Sequence, residues 1–361
     1  MKVAAVVGAR PNFMKIAPIV AEMRQYPECR PCLIHTGQHY DRQMSEVFFQ
    51  ELDIPAPDFN LGARSRTSAV KTAEIMFRLA PILASERPDV VLVVGDVDST
   101  LAGALVAVKM GIRVAHVEAG LRSFDRTMPE EINRLLTDGV ADYCFTTEPA
   151  ANENLAREGI LSQRIHYVGN VMIDTLFRFR ERAAASRIVE DLGLTPGGFA
   201  LMTVHRPSNV DDPEALSRTL AAIAAVRRDL PVVFPVHPRT QECLKRLSGR
   251  ANTGLLLAEP LPYLDFVQLM ANAACVLTDS GGIQEETTAL GVPCLTLRAT
   301  TERPITVTHG TNRVVGLDPE KVRAAWAEIR RGAWPTGRLL ELWDGKAAKR
   351  IVNILLDCHS R

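Results

Sequence analysis

The chain has 361 residues, 47% hydrophobic and 23% charged, with Lys+Arg and Asp+Glu both at 42 and a net charge of zero. That balance argues against a non-specific nucleic-acid binder, and no apolar run approaches the roughly 20 residues needed to cross a bilayer. The length favours two domains over one core. The start, MKVAAVVGARP, resembles a secretory signal only superficially. Its apolar stretch is short and ends in Gly-Ala-Arg-Pro, which reads as a first buried strand and a cytoplasmic protein. The seven cysteines are scattered, and the Cys29-x-x-Cys32 pair precedes an apparent strand with no second pair to complete a zinc site. No metal site is expected.

Short apolar runs then alternate with helical patterns. VAAVV, CLIH, VVLVV, RVAHV, YCFTT and IHYVG are strand candidates in the first half; ALMTV, PVVFPV, GLLLAE, CVLTDS and PCLTL are those of the second. APIVAEMRQY, SAVKTAEIMFRLAPILASE and PEALSRTLAAIAAVRRD carry helical periodicity between them. This alternation predicts an α/β protein with two doubly wound, Rossmann-like parallel sheets. The series restarts after the charged stretch FRFRERAAASRIVEDLGL. That gives domains over 1–170 and 171–344, with an amphipathic helix at about 345–361 packing back on the first. Two such domains are expected to face a central cleft lined by strand carboxyl ends.

Polar clusters fall repeatedly at those ends. Gly8 permits a tight turn after the first strand, and Arg10 and Lys15 follow as charges suited to phosphate. The segment is not GxGxxG, so a nicotinamide fingerprint is missing. In GDVDSTL, Asp98 or Ser99 reads as a helix cap, while Asp96 lies nearer the strand end. HVEAGLRSFDRTMPEEINR puts Glu118 just past a buried strand and Glu130 and Glu131 in the first turn of a helix opened by Pro129. Glu130 and Arg134 are four apart and share a face, so an ordinary ion pair is the plain structural reading. His205 and Arg206 follow a strand together and suit an anionic substrate; His237, in PVHPR, repeats the idea or simply belongs to a turn. In LTDSGGIQEE, Ser280, Gly281 and Gly282 offer backbone N–H groups at a helix start, and Glu286 lies one turn in, within reach of a ribose hydroxyl. RATTERP adds Arg303 at the same edge.

GARPNFMKIAP, TGQHYD, GDVDSTLA, HVEAGLRS, PEEINR, HRPSN, LTDSGGIQEE and TERP, in this order, resemble the non-hydrolysing UDP-N-acetylglucosamine 2-epimerases over nearly the whole chain. The resemblance implies a GT-B fold, a homodimer, and interconversion of UDP-GlcNAc and UDP-ManNAc without NAD or any other cofactor. UDP leaves as the C2 proton is removed, giving 2-acetamidoglucal, and re-adds after protonation on the opposite face. By motif, Asp96, Glu118 and Glu130 are the acid/base groups and His205 a further catalytic or phosphate-facing group. Arg10, Lys15, Arg134, Ser280, Gly281, Gly282 and Glu286 would hold UDP, with Phe266 near the uracil and His237 and Arg303 beside the substrate. The chain departs from many relatives at Val70-Lys71-Thr72, at Tyr40-Asp41 and at Ile305. A diacetamido uronic acid UDP-sugar as substrate, a hydrolysing epimerase releasing ManNAc and UDP, a GT-B glycosyltransferase and a silent UDP-sugar sensor are the alternatives.

Overall fold

The computed structural model describes residues 1–37, 49–65, 67–210, 213–236, 238–246, 254–338 and 340–359. The chain forms two compact units, Met1–Arg178 with Glu341–Arg361, and Phe179–Leu340.

The first unit holds seven strands: β1 (Lys2–Val7), β2 (Arg30–His35), β3 (Phe59–Asn60), β4 (Val90–Val94), β5 (Arg113–Val117), β6 (Tyr143–Thr146) and β7 (Ile165–Tyr167). All pair in parallel, in the order β3-β2-β1-β4-β5-β6-β7. The near-continuous Val/Ile/Leu/Ala composition of β1 and β4 follows from this, because a parallel sheet is covered on both faces. Helices α1 (Arg10–Met23), α2 (Ser68–Glu86), α3 (Asp98–Lys109), α4 (Pro129–Val140), α5 (Pro149–Arg157) and α6 (Val171–Ala184) supply the crossovers and the exit toward the second unit. On one face of the sheet, Ala4, Val6, Ile34, Val91, Val93 and Val114 pack against Ile75, Leu79 and Leu83 of α2 and Ala102, Ala104 and Val106 of α3. Strand order reverses direction of growth between β1 and β4, the switch point at which open α/β sheets bind ligands.

The last helix of the chain, Ala347–His359, belongs to this unit. Its first turn is capped from a distance: the Asp174 carboxylate accepts the Ala347 and Ala348 N–H groups at 3.1 and 2.7 Å. Trp343, just before it, is buried and donates its indole N–H to the Thr147 carbonyl at 2.9 Å.

The second unit holds β8 (Ala200–Thr203), β9 (Val232–Pro235), β10 (Leu255–Ala258), β11 (Cys275–Thr278), β12 (Cys294–Thr296) and β13 (Asn312–Val314), again all parallel, in the order β10-β9-β8-β11-β12-β13. Its switch point lies between β8 and β11. Its helices include α7 (Pro213–Ala222), α8 (Tyr263–Asn272), α9 (Gly281–Leu290) and α10 (Pro319–Arg330). The periodic stretch 213–229 is not one helix: it breaks at Ile223 and resumes over Ala224–Asp229. Among the described residues no helix is long and apolar enough to cross a membrane.

Candidate active site

In the first unit the polar residues collect beyond the carboxyl ends of β1, β4 and β5. Lys15 sits in the second turn of α1, 6% exposed, and donates to Glu118 Oε2 at 2.5 Å. Asn12, one turn earlier, receives the Gly8 and Ala9 N–H groups and donates to the Val94 carbonyl at 3.0 Å, tying α1 to the end of β4. Gly8 is required by space: a Cβ there would lie 2.0 Å from Ser99 Oγ and 2.4 Å from Thr36 Oγ1. Gly95 is required by its φ of +71°, and it lies against the end of the Lys15 side chain, whose Nζ would sit 2.9 Å from a Cβ there. Glu118 itself has φ of +69°, a region that costs a side-chain-bearing residue of order 1 kcal/mol and recurs at functional sites.

Asp96 is held by Arg134, which donates Nε at 3.0 Å and Nη2 at 2.7 Å to one carboxylate oxygen. Neither Asp98 nor Ser99 caps α3; that position is Val97, and Asp98 instead accepts the Ser68 hydroxyl at 2.6 Å. The expected Glu130–Arg134 pair is corrected by the structure. Arg134 pairs with Glu131, three residues away, at 2.5 Å, and with Asp96. Glu131 is the buried member of the Glu-Glu pair because it also accepts Ser123 N, Ser123 Oγ and Phe124 N, each at 2.9 Å, fixing the loop before α4. Burial would raise its pKa, but the Ser123 and Phe124 donors and Arg134 hold it below the usual carboxylate range. Glu130 is half-buried, and its carboxylate makes no hydrogen bond or ion pair among the described residues.

In the second unit the organising group is Asp279, just past β11 and fully buried. Its carboxylate accepts His205 N at 3.1 Å, Arg206 N at 2.9 Å and Asn209 Nδ2 at 2.9 Å, and pairs with His205 Nδ1 at 2.9 Å. Burial opposes ionisation, yet the His205 bond and charge and the Arg206 and Asn209 donors leave the pKa below the ordinary aspartate value. An ionised Asp279 fixes the His205 proton on Nδ1 and turns Nε2 outward on a side chain that is 65% exposed. This orienting role was not read from the sequence; the signal was the aspartate that opens Asp-Ser-Gly-Gly.

The Gly281–Gly282 start of α9 follows directly. Ser280 is its N-cap, and the Ser280 N–H is taken by Thr278 Oγ1 at 3.0 Å, so the first-turn N–H groups begin at Gly281. Glu286 lies inside the unit, 1% exposed, and accepts the Tyr263 hydroxyl at 2.8 Å; burial pushes its pKa up to about 7. Arg303 is buried and paired with Glu285 at 2.7 Å, so it braces α9 from below. A Cβ on Gly281 would meet Glu302 Oε1 at 2.8 Å and Arg303 just beyond. Phe266 is half-buried in the first turn of α8. The Arg10 side chain, His237 and Tyr40-Asp41 lie outside the described residues.

The profile described as UDP-N-acetylglucosamine 2-epimerase matches residues 21–356. The chain belongs to that family. It is 41% identical over 369 residues to the UDP-N-acetylglucosamine 2-epimerase of Methanocaldococcus jannaschii, covering 98% of this chain and 99% of that one. The crystal structure of that epimerase in complex with UDP-GlcNAc and UDP superposes with a TM-score of 0.90 at 40% identity, covering 99% of this chain and 100% of the other. A second relative, the UDP-2,3-diacetamido-2,3-dideoxy-D-glucuronate 2-epimerase of Pseudomonas aeruginosa, is 38% identical over 360 residues, covering 98% of this chain and 99% of that one. The epimerase family is one of isomerases, and its fold, like that of this chain, is the GT-B pair of parallel-sheet units.

Proposed function

We propose that this member of the family interconverts UDP-N-acetylglucosamine and UDP-N-acetylmannosamine by non-hydrolysing elimination and re-addition of UDP. The observation that carries the reading is the arrangement beyond β4 and β5. There a carboxylate with left-handed backbone, Glu118, is held by a buried lysine, and a second carboxylate, Asp96, by a buried arginine. Inverting C2 requires a proton to leave one face and arrive at the other, which needs at least two acid/base groups. Asp96, Glu118 and Glu130 are the groups we assign to this, with Glu130 the one whose carboxylate no side chain holds among the described residues.

The departing UDP carries developing negative charge. His205, oriented by Asp279, and the first-turn N–H groups of α9 suit that charge, with Arg10, Lys15 and Arg134 as further cations. We assign Ser280, Gly281, Gly282 and Glu286 to UDP, Phe266 to the neighbourhood of the base, and His237 and Arg303 to its surroundings, Arg303 acting through Glu285. A homodimer is part of the proposal. It is supported by α2, where Val70 (58% exposed) and Phe77 (83% exposed) stand two turns apart on one face.

The test is NMR of the purified protein with UDP-GlcNAc in heavy water and no added nicotinamide. UDP-ManNAc carrying deuterium at C2 is expected. Free ManNAc with UDP would move the enzyme to the hydrolysing class, and turnover only of a diacetamido uronate UDP-sugar, the substrate in the name of the Pseudomonas relative, would replace the substrate.

A further inference from the structure

His116, in β5, is fully buried and makes two hydrogen bonds: Nδ1 with Asp138 Oδ1 at 2.6 Å and Nε2 with the Gly95 carbonyl at 2.7 Å. A carbonyl oxygen only accepts, so Nε2 carries a proton. Asp138 only accepts as well when ionised, and two other features keep it so: Arg122 Nη2 lies 2.7 Å from Oδ2, and the Gly120 N–H donates to Oδ2 at 3.0 Å. Both ring nitrogens therefore donate.

We infer that His116 is a buried imidazolium whose ring fixes the spacing of Asp96 and Glu118, a positioning residue for the epimerase reaction. Gly95 immediately precedes Asp96, and Glu118 follows His116 by two residues, so one rigid ring joins the two backbones from which these carboxylates project. Both junctions are conformationally demanding: Gly95 has φ of +71° and Glu118 of +69°. The ladder contributes one more tie there, Gly95 N to the Val117 carbonyl at 3.0 Å. The far end of the ring is anchored through Asp138 to α4, the helix that carries Glu130 and Arg134.

The charged groups linked to the ring form one cluster; beyond it, Arg164 and Asp142 bear on the Cys144 thiol with opposite charges. Asp138 lies on α4, Arg122 on the loop after β5, Glu158 pairs with Arg122 at 2.5 Å, and on β6 the thiol of Cys144, register partner of His116, is pushed up to about 12 and stays neutral. Two cations, His116 and Arg122, thus offset two anions, Asp138 and Glu158. A neutral ring would leave the cluster one negative charge in excess and one of the two acceptors without its proton.

The inference rests on the acid/base reading of Asp96 and Glu118, but its first test does not. In ¹⁵N-histidine-labelled full-length protein at neutral pH, the His116 resonances are expected to show protons on both ring nitrogens; a single proton would overturn the assignment whatever the activity. The second test separates positioning from mere structure. His116→Asn keeps a donor near the Nδ1 position, facing Asp138, and loses the one facing Gly95. It is expected to lower kcat about 100-fold with KM and the Kd for UDP within about threefold. His116→Gln restores a donor near the Nε2 position and is expected to recover to within about tenfold of wild type. Wild-type kcat in the Asn variant, or a Gln variant no better than Asn, would overturn the role. A wild-type protein that fails to epimerise any UDP-sugar would refute the proposed function instead, leaving the ring state to the spectrum.

Discussion

Asp279→Asn is the substitution whose consequences the structure specifies most fully. The carboxylate faces only donors: the His205 and Arg206 N–H groups, Asn209 Nδ2 and His205 Nδ1. An asparagine there presents one oxygen and one NH₂, and in either orientation the NH₂ meets a donor. One charge-assisted bond is lost, at ~1.5–3 kcal/mol, and a buried donor is left without an acceptor, at ~1–3 kcal/mol more. The expected loss is about 4 kcal/mol. For a unit of roughly 160 residues that lowers Tm by about 8–16 °C. Because the native pKa of Asp279 is depressed, its contribution is full above the unfolded aspartate value of about 4 and is lost as pH falls through the native value. The Tm gap between wild type and variant therefore closes in acid. Activity falls separately: without a carboxylate on Nδ1 the His205 ring is no longer held in one orientation, and kcat is expected to drop by on the order of 10²–10³. Calorimetry across pH and a coupled epimerisation assay measure the two effects. A variant with wild-type Tm at pH 7 and unchanged kcat would refute the view of Asp279 as the hub of this site.

Other substitutions separate neighbouring residues by role. Glu130→Gln should leave Tm within about 1 °C, since its carboxylate holds nothing among the described residues, while turnover collapses; Glu131→Gln should lose about 2 kcal/mol through the Ser123 and Phe124 loop, seen as a Tm shift without ligand. Glu286, raised to about 7, contributes stability below the ordinary glutamate value that is lost as pH rises through 7. Glu286→Gln, which still accepts from Tyr263, should therefore flatten the fall in Tm between about pH 4 and 7, and a parallel profile would contradict the burial argument. Phe77→Asp, on the exposed face of α2, should halve the mass seen by light scattering if that face joins two copies, with Tm of the remaining species little changed.

The sheets were legible because their composition is extreme. Runs such as VVLVV are buried at every position, and the helical period of 68–86 coincides with α2 to the residue. Two strands escaped: β3 has only two residues, and β13 reads Asn-Arg-Val, with no apolar run to mark it. The break at Ile223 carries no proline or glycine to announce it. Site residues near strand ends stood out as charges following apolar runs, and Asp96, Glu118 and His205 were read that way. Their supports were not. Asp138 lies 22 residues from His116, near the end of the helix that folds back over β5, and Asp279 lies 74 from His205, brought beside it by the β8–β11 pairing. Glu130 and Glu131 are indistinguishable as letters; which one faces the Ser123 loop depends on how that loop turns back over α4.

The Lys15–Glu118 pair shows why such supports persist although they add little stability. Both side chains are almost fully buried, so each has lost most of its hydration, and Glu118 also carries the cost of its left-handed backbone. Removing one partner alone, as in Lys15→Met, takes the paired cation from a buried carboxylate and should cost about 3–5 kcal/mol. Removing both tells a different story. Lys15→Met with Glu118→Gly replaces the lysine by an apolar side chain of similar length and places glycine where φ is positive. Buried pairs replaced by apolar groups are often neutral or gain about 1–4 kcal/mol, and relief of the backbone strain adds to that. The glycine leaves some space unfilled and offsets part of the gain. The double variant is expected to melt no lower than wild type while showing no epimerisation, with the single Lys15→Met variant melting well below both. A double variant as unstable as the single one would mean that the pair serves the fold; the expected order would mean that it is kept for the chemistry at C2.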